Sequence, residues 1–173
     1  MAENNFYLSR LLAIALTRHR LRLAVAESCT GGGLAYQLTA VADSSAWFDR
    51  GFITYSNASK IEMLGVSPKV IEQHGAVSQE TAMEMAKGVI RKSHADVSLS
   101  ITGIAGPSGG TPVKPVGLVY FGLADRQGFC QSRMAHFSSG RRQIRVDAMT
   151  FALHWLLEHV NSKTENSKYE YDE

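Results

Sequence analysis

The stretch VAESCTGGGLAYQL, residues 25–38, decides how this chain is read. An apolar segment ends in Glu27, Ser28, Cys29 and Thr30, three glycines follow, and a second apolar segment begins. Upstream, RLAVAE (residues 22–27) alternates like a strand, with Leu23 and Val25 on one face. Downstream, GGLAYQLTAV suits a helix. The stretch is therefore a strand turning into a glycine-started helix. Such a start offers unpaired N–H donors and the positive end of a helix dipole. Three uses compete for the polar residues there. Ser28 or Thr30 can cap the helix, the commonest use of such residues. Ser28 can be a nucleophile whose oxyanion is held by backbone N–H groups. The turn can cradle a phosphate, although it lacks the Lys-Ser/Thr end of a P-loop and is no GxGxxG.

Outward from this turn the chain alternates helices and strands. Leu8, Leu11, Leu12 and Leu16 form one helical stripe before it. Beyond it, FITY (residues 52–55) reads as a strand. Ser56 or Asn57 caps a helix that Gly65 ends, and Ser67-Pro68 opens a short one. Ser78 caps a longer helix with Ala82, Met85, Ala86, Val89 and Ile90 on one face. DVSLSIT (96–102) alternates cleanly, and a Gly/Pro-rich loop, GIAGPSGGTPVKPVG, follows it. LVYFGLA and FCQSRMAHF flank DRQG as a hairpin. A last helix is expected over residues 141–160. This pattern predicts an α/β fold, one domain over residues 1–160 with a mixed β-sheet covered by helices. Ligands in such folds bind off the carboxyl ends of strands. Three polar stretches are expected there: residues 27–33, 55–60 and 102–117.

Composition narrows the class. The chain has 173 residues, 45% apolar and 20% charged, as ordinary globular domains do. No apolar run approaches the roughly 20 residues that span a bilayer, so no membrane partner is expected. Nor does the start look like a signal peptide. Two cysteines, Cys29 and Cys130, make no disulfide framework, and a cytoplasmic location is the default reading. The net charge of +2 is too small to argue for nucleic acid. Residues 161–173 hold two basic and four acidic residues and read as a polar, disordered tail. The remainder carries +4, a mild bias towards anionic ligands.

A nucleophilic Ser28 needs a base. The histidines at 19, 74, 94, 136, 154 and 159 have no carboxylate at a telling spacing and form no metal-ligand pattern. The alternative base is a lysine, and Lys60 in SNASKIEML is the one near the second polar stretch. A lysine, protonated in water, acts as a base only if burial or a neighbouring cation depresses its pKa. Otherwise Lys60 is simply solvated in the first turn of a helix. TGIAGPSGG can turn, or wrap a ligand with backbone groups. Arg141 and Arg145, four apart, share a helix face and can clamp a phosphate. Three cations at residues 141–145 oppose the helix dipole, which hints at a use for them.

Taken together, AESCTGG, TYSNASKIEMLGV, GAVSQETAMEMAKG, TGIAGPSGGTPVKPVG and the IR of GRRQIR resemble the C-terminal domain of the competence/damage-inducible protein CinA. The resemblance covers roughly residues 8–160 and is to the form in which this domain occurs alone. It implies a three-layer sandwich, a homo-oligomer with a dimeric unit, and a nicotinamide mononucleotide deamidase of Ser/Lys type without cofactor or metal. By that resemblance Ser28 is the nucleophile, Lys60 the base, and Tyr55 orients Lys60 or relays its proton. Thr102 and Gly103 match the start of the family's glycine loop; in the mechanism the residues then suggest, backbone N–H groups at Thr30, Gly31 and Gly32 bind the oxyanion, and Arg141, Arg145 or a helix start meets the substrate phosphate. Cys29 is the rival nucleophile. If strand alternation persists through residue 29, Ser28 and Cys29 face opposite ways, and the family motif selects Ser28. The sequence departs from the family at Ser139-Gly140, where Gly-Asp is frequent, and at PSGG, where Pro-Gly-Gly-Gly is frequent. The alternative function is a catalytically idle relative that binds a nucleotide and a protein partner.

Overall fold

A computed structural model of the chain describes residues 2–167. The helices are α1 (Ala2–His19), α2 (Gly33–Thr39), α3 (Asn57–Leu64), α4 (Pro68–His74), α5 (Gln79–Lys92) and α6 (Arg141–Ser167). The strands are β1 (Leu23–Glu27), β2 (Phe48–Ile53), β3 (Val97–Gly103), β4 (Leu118–Asp125) and β5 (Cys130–His136). They form one sheet in the order β2-β1-β3-β4-β5. β1 pairs parallel with both β2 and β3, while β3–β4 and β4–β5 are antiparallel. The sheet is mixed, as the sequence predicts.

Alternation along the central strands builds the three layers. Leu23, Val25, Leu99, Ile101, Val119, Phe121 and Leu123 join Leu12, Leu16, Leu153 and Leu156 of α1 and α6 in the larger core. On the other face Ala24 and Ala26 meet Leu64, Val66, Met85 and Val89. β3 turns hydroxyls to that second face. Ser98 Oγ donates to Ala86 O at 2.8 Å and Ser100 Oγ to Ala82 O at 2.6 Å, so buried polar groups are paired against α5. Gly122 on β4 lets α5 come this close, since a Cβ there would lie 2.2 Å from Ala82 O.

Two expectations need correction. The second strand is Phe48–Ile53 and ends before Thr54 and Tyr55. It is an edge strand, so Asp49 and Arg50 stand in it without cost to the core and hide it from an apolar-run reading. The last helix continues to Ser167, beyond the residue 160 expected. Residues 168–173 of the expected tail lie outside the described residues. Among the described residues no helix is long and apolar enough to cross a membrane.

The topology gathers the polar stretches. β1, β2, β3 and β5 run in one direction, with β4 against them. Ser28 follows β1, Lys60 follows β2, Thr102 and Gly103 end β3, and Arg141 comes five residues after β5. All five therefore lie off one end of the sheet, at the carboxyl ends of the strands that run in the same direction.

Candidate active site

Ser28 leaves the sheet with its N–H donating to Ile101 O at 3.0 Å. Its side chain caps nothing. The residue before α2 is Gly32, in the left-handed region at φ 93°, with no side-chain cap. Gly31 is left-handed too, at φ 58°. These two conformations, which glycine adopts without a Cβ clash, reverse the chain from strand to helix. The donors at the helix start go to Glu27. Its fully buried carboxylate accepts from Gly32 N at 3.1 Å, Leu34 N at 3.0 Å and Ala35 N at 2.8 Å. The capping explanation of Ser28 and Thr30 is thereby removed, and the Ser28 hydroxyl is left for another partner.

That partner is Lys60, whose Nζ lies 3.1 Å from Ser28 Oγ. Nζ also donates to Thr54 O at 2.8 Å. Lys60 is 1% exposed and is among the largest fully buried side chains. Its helix is fixed by a reciprocal cap: Ser56 Oγ accepts from Ser59 N and Ser59 Oγ from Ser56 N. Gly65 closes the helix in the left-handed region, at φ 68°. Burial lowers the lysine pKa from 10.5 to about 8. About one Lys60 in ten is then neutral at pH 7, against fewer than about one in a thousand for a solvated lysine. A hydroxyl beside a buried, partly neutral amine is an arrangement for nucleophilic attack.

A cavity of about 340 Å³ opens over this pair. Ser28, Tyr55, Lys60, Thr102, Gly103 and Arg141 all line it. Asn57, within the expected stretch 55–60, lines it too, whereas sequence reasoning missed Ala76 and Val77 in its wall. The motif GAVSQE signalled the last two, since Thr102 Oγ1 donates to Ala76 O at 2.7 Å across the cleft. Arg141 bridges the mouth, with Nη1 donating to Gly106 O at 2.7 Å and Nη2 to the Tyr55 hydroxyl at 3.3 Å. A larger hollow, about 620 Å³, borders the other side of Arg141 and contains neither Ser28 nor Lys60.

Tyr55, the glycine turn and Arg145 have neighbours other than those expected. Tyr55 is 62% exposed and bonds to Arg141, while Thr54 O is what orients Lys60. Thr30, Gly31 and Gly32 do not line the cavity. The N–H of Gly31 is spent on Ser28 O and that of Gly32 on Glu27, so neither is a ready oxyanion donor. Arg145 turns inward, donating from Nη2 to Thr30 O at 2.8 Å, and is absent from the cavity lining. Gly103 lines the cavity, and its lack of a side chain serves packing, since a Cβ there would meet Val119 Cγ2 at 2.7 Å and Leu118 O at 2.8 Å.

Cys29 lines the same cavity as Ser28, where opposite facing was expected, yet it is 6% exposed and belongs to the larger core. Burial pushes its thiol up to about 11, so it is protonated and weakly nucleophilic at neutral pH. Among the described residues no group of three or more His, Cys, Asp or Glu side chains is placed to hold a metal ion.

The sequence profile of the CinA C-terminal domain matches residues 6–160. The chain belongs to the CinA C-terminal domain family. It is 48% identical over 154 residues to a nicotinamide-nucleotide amidohydrolase PncC of Enterobacter agglomerans, covering 88% of this chain and 94% of that one. To PncC of Escherichia coli K12 it is 44% identical over 157 residues, covering 91% and 95%. A CinA-like protein of Geobacter sp. strain M21 is 48% identical over 159 residues, which make up 38% of that longer chain. Among solved structures, the competence/damage inducible protein CihA of Agrobacterium tumefaciens superposes with a TM-score of 0.88 at 42% identity, over 91% of this chain and 96% of that one. A CinA superfamily protein of Klebsiella pneumoniae 700603 also gives 0.88, at 35% identity, over 91% and 98%.

Proposed function

We propose that this CinA-family chain is a nicotinamide-nucleotide amidohydrolase that converts nicotinamide mononucleotide to nicotinate mononucleotide and ammonia. The observation that carries this reading is the 3.1 Å contact between Ser28 Oγ and the buried Lys60 Nζ at the floor of the cavity. The named activity of the PncC relatives supports the substrate.

Neutral Lys60 takes the Ser28 proton as Oγ attacks the carboxamide carbon. The tetrahedral intermediate collapses, Lys60 returns the proton to the nitrogen, and ammonia leaves an acyl ester on Ser28. Water then attacks that ester, with Lys60 again as base, releasing the carboxylate and restoring the hydroxyl. The oxyanion is held by the N–H of Cys29, the residue after the nucleophile, which is how a nucleophile on a sharp strand-to-helix turn is served in other hydrolase folds. The pyridinium charge of the substrate activates the carboxamide and, beside Lys60, lowers the lysine pKa further. Arg141 is the phosphate partner, with guanidinium donors to spare beyond those given to Gly106 and Tyr55. Tyr55 holds Arg141 over the mouth.

Ammonia release from nicotinamide mononucleotide is the direct test. Turnover by the wild type and loss in Ser28→Ala is the expected result. A wild type that binds the nucleotide without releasing ammonia would instead favour an idle binding protein.

A further inference from the structure

We propose that Glu27 is the positioning residue for Ser28: it takes over the helix-capping work that a serine in this turn would otherwise do, and so holds the hydroxyl on Lys60. The inference rests on the reading of Ser28 as nucleophile.

Three observations converge on Glu27. It is a carboxylate at the end of an otherwise apolar strand, fully buried. Buried carboxylates need partners, and both of its oxygens have them in the N–H groups of Gly32, Leu34 and Ala35. Its main chain acts on the other half of the pair. Glu27 O accepts from Thr54 N at 2.8 Å, and Thr54 O in turn accepts from Lys60 Nζ. One residue is thus tied to the elements carrying both Ser28 and Lys60. The third observation is the turn itself. Gly31 and Gly32 give it shape but add backbone freedom, and its own bonds from Gly31 N to Ser28 O and Gly33 N to Thr30 O are reinforced from outside. Glu27 grips its N–H side, and Arg145 grips its carbonyl side at Thr30 O.

Glu27→Gln tests this directly. Glutamine keeps the length but offers one acceptor oxygen where two are used, and it turns an NH₂ towards N–H donors. Ser28 should lose its fixed place. A misplacement of about 1 Å at a reacting centre costs on the order of 100-fold in rate, and kcat should fall by about that factor. KM should stay within about threefold of wild type, because residues 102–106, Ser108, Gly109 and Arg141 form binding walls that Glu27 does not touch. Labelling of Ser28 by a fluorophosphonate should slow in parallel with kcat. Rates are expressed per folded molecule, with folding followed by circular dichroism. If Glu27→Gln does not fold, Glu27→Asp carries the same test, since it keeps the charge and both acceptors but withdraws them. Wild-type kcat and labelling rate per folded molecule, or a loss confined to KM, would overturn the proposal. Ser28→Ala run alongside separates the two levels. Full ammonia release without Ser28 would remove the nucleophile reading itself, whereas a dead Ser28→Ala with unimpaired Glu27→Gln would remove only the role of Glu27.

Discussion

Replacing Lys60 by methionine should abolish ammonia release and also change how stability depends on pH. The lysine pKa falls from 10.5 in the unfolded chain to about 8 in the fold because the ammonium is buried. The fold therefore disfavours the protonated form. Between pH 8 and 10.5 the unfolded chain binds the proton and the folded chain releases it, so wild-type stability rises with pH across that window. The folded and unfolded proton populations at those two pKa values give wild type a gain of about 2 kcal/mol between pH 7 and pH 9.5. Methionine has no proton to lose, so Lys60→Met lacks this gain.

Urea unfolding of both proteins at pH 7 and pH 9.5 measures the difference, and the other titrating groups cancel in the comparison. The gap between the proteins should move by about 2 kcal/mol in favour of wild type at the higher pH. The same titration should appear in catalysis. In wild type, the neutral fraction of Lys60 climbs from about one tenth at pH 7 to about nine tenths at pH 9, so kcat/KM should rise roughly tenfold and level off. A stability gap independent of pH, together with a flat rate profile, would refute a depressed Lys60 and with it the base.

Other perturbations separate roles that share this small space. Ser28→Ala should lose activity entirely, whereas Cys29→Ala should keep most of it and lose about 1–2 kcal/mol of stability as a small core cavity opens; thiol alkylation of the folded protein should inhibit poorly, and the reverse pattern in assay and labelling would make Cys29 the nucleophile. Tyr55→Phe should retain kcat within about fivefold, because its hydroxyl meets Arg141 and not Lys60; a loss on the order of 100-fold would restore it as a proton relay. Arg141→Ala should raise KM for nicotinamide mononucleotide far more than for nicotinamide riboside, whereas Arg145→Ala should lower kcat equally for both, since its guanidinium holds Thr30 O. Steady-state kinetics on the two substrates decides between an arginine that binds phosphate and one that braces the turn.

Much of this was legible in the sequence because local signals agreed. Alternation in residues 96–102 marked β3, and Ser56 with Gly65 bracketed the helix that carries Lys60. What stayed hidden depended on tertiary neighbours. The first four residues of β2 escaped because an edge strand tolerates Asp49 and Arg50. Arg141 and Arg145 share a helix face in sequence, yet one reaches the cavity mouth and the other the glycine turn, and only the packing of α6 against α1, α2 and β3 separates them. The pKa of Lys60 was equally invisible, since nothing local says that a lysine in a first helical turn is buried.

The turn at residues 27–33 shows why a site motif can look like a capping motif. Ser, Thr and Gly before a helix are what an ordinary helix start requires, and nothing in SCTGG distinguishes a cap from a nucleophile. The distinction lies in which group satisfies the orphan N–H donors. A helix start with no other acceptor would draw the serine hydroxyl onto its own backbone, and Oγ would then point at the helix end instead of at a base. Supplying that acceptor from the last residue of the preceding strand changes the outcome. A carboxylate at position 27 reaches three donors at once, and the next residue is released towards the end of the sheet, where β2 delivers Lys60. The glutamate that first appears out of place at the end of LAVAE is thus what makes the serine after it chemically different from a cap.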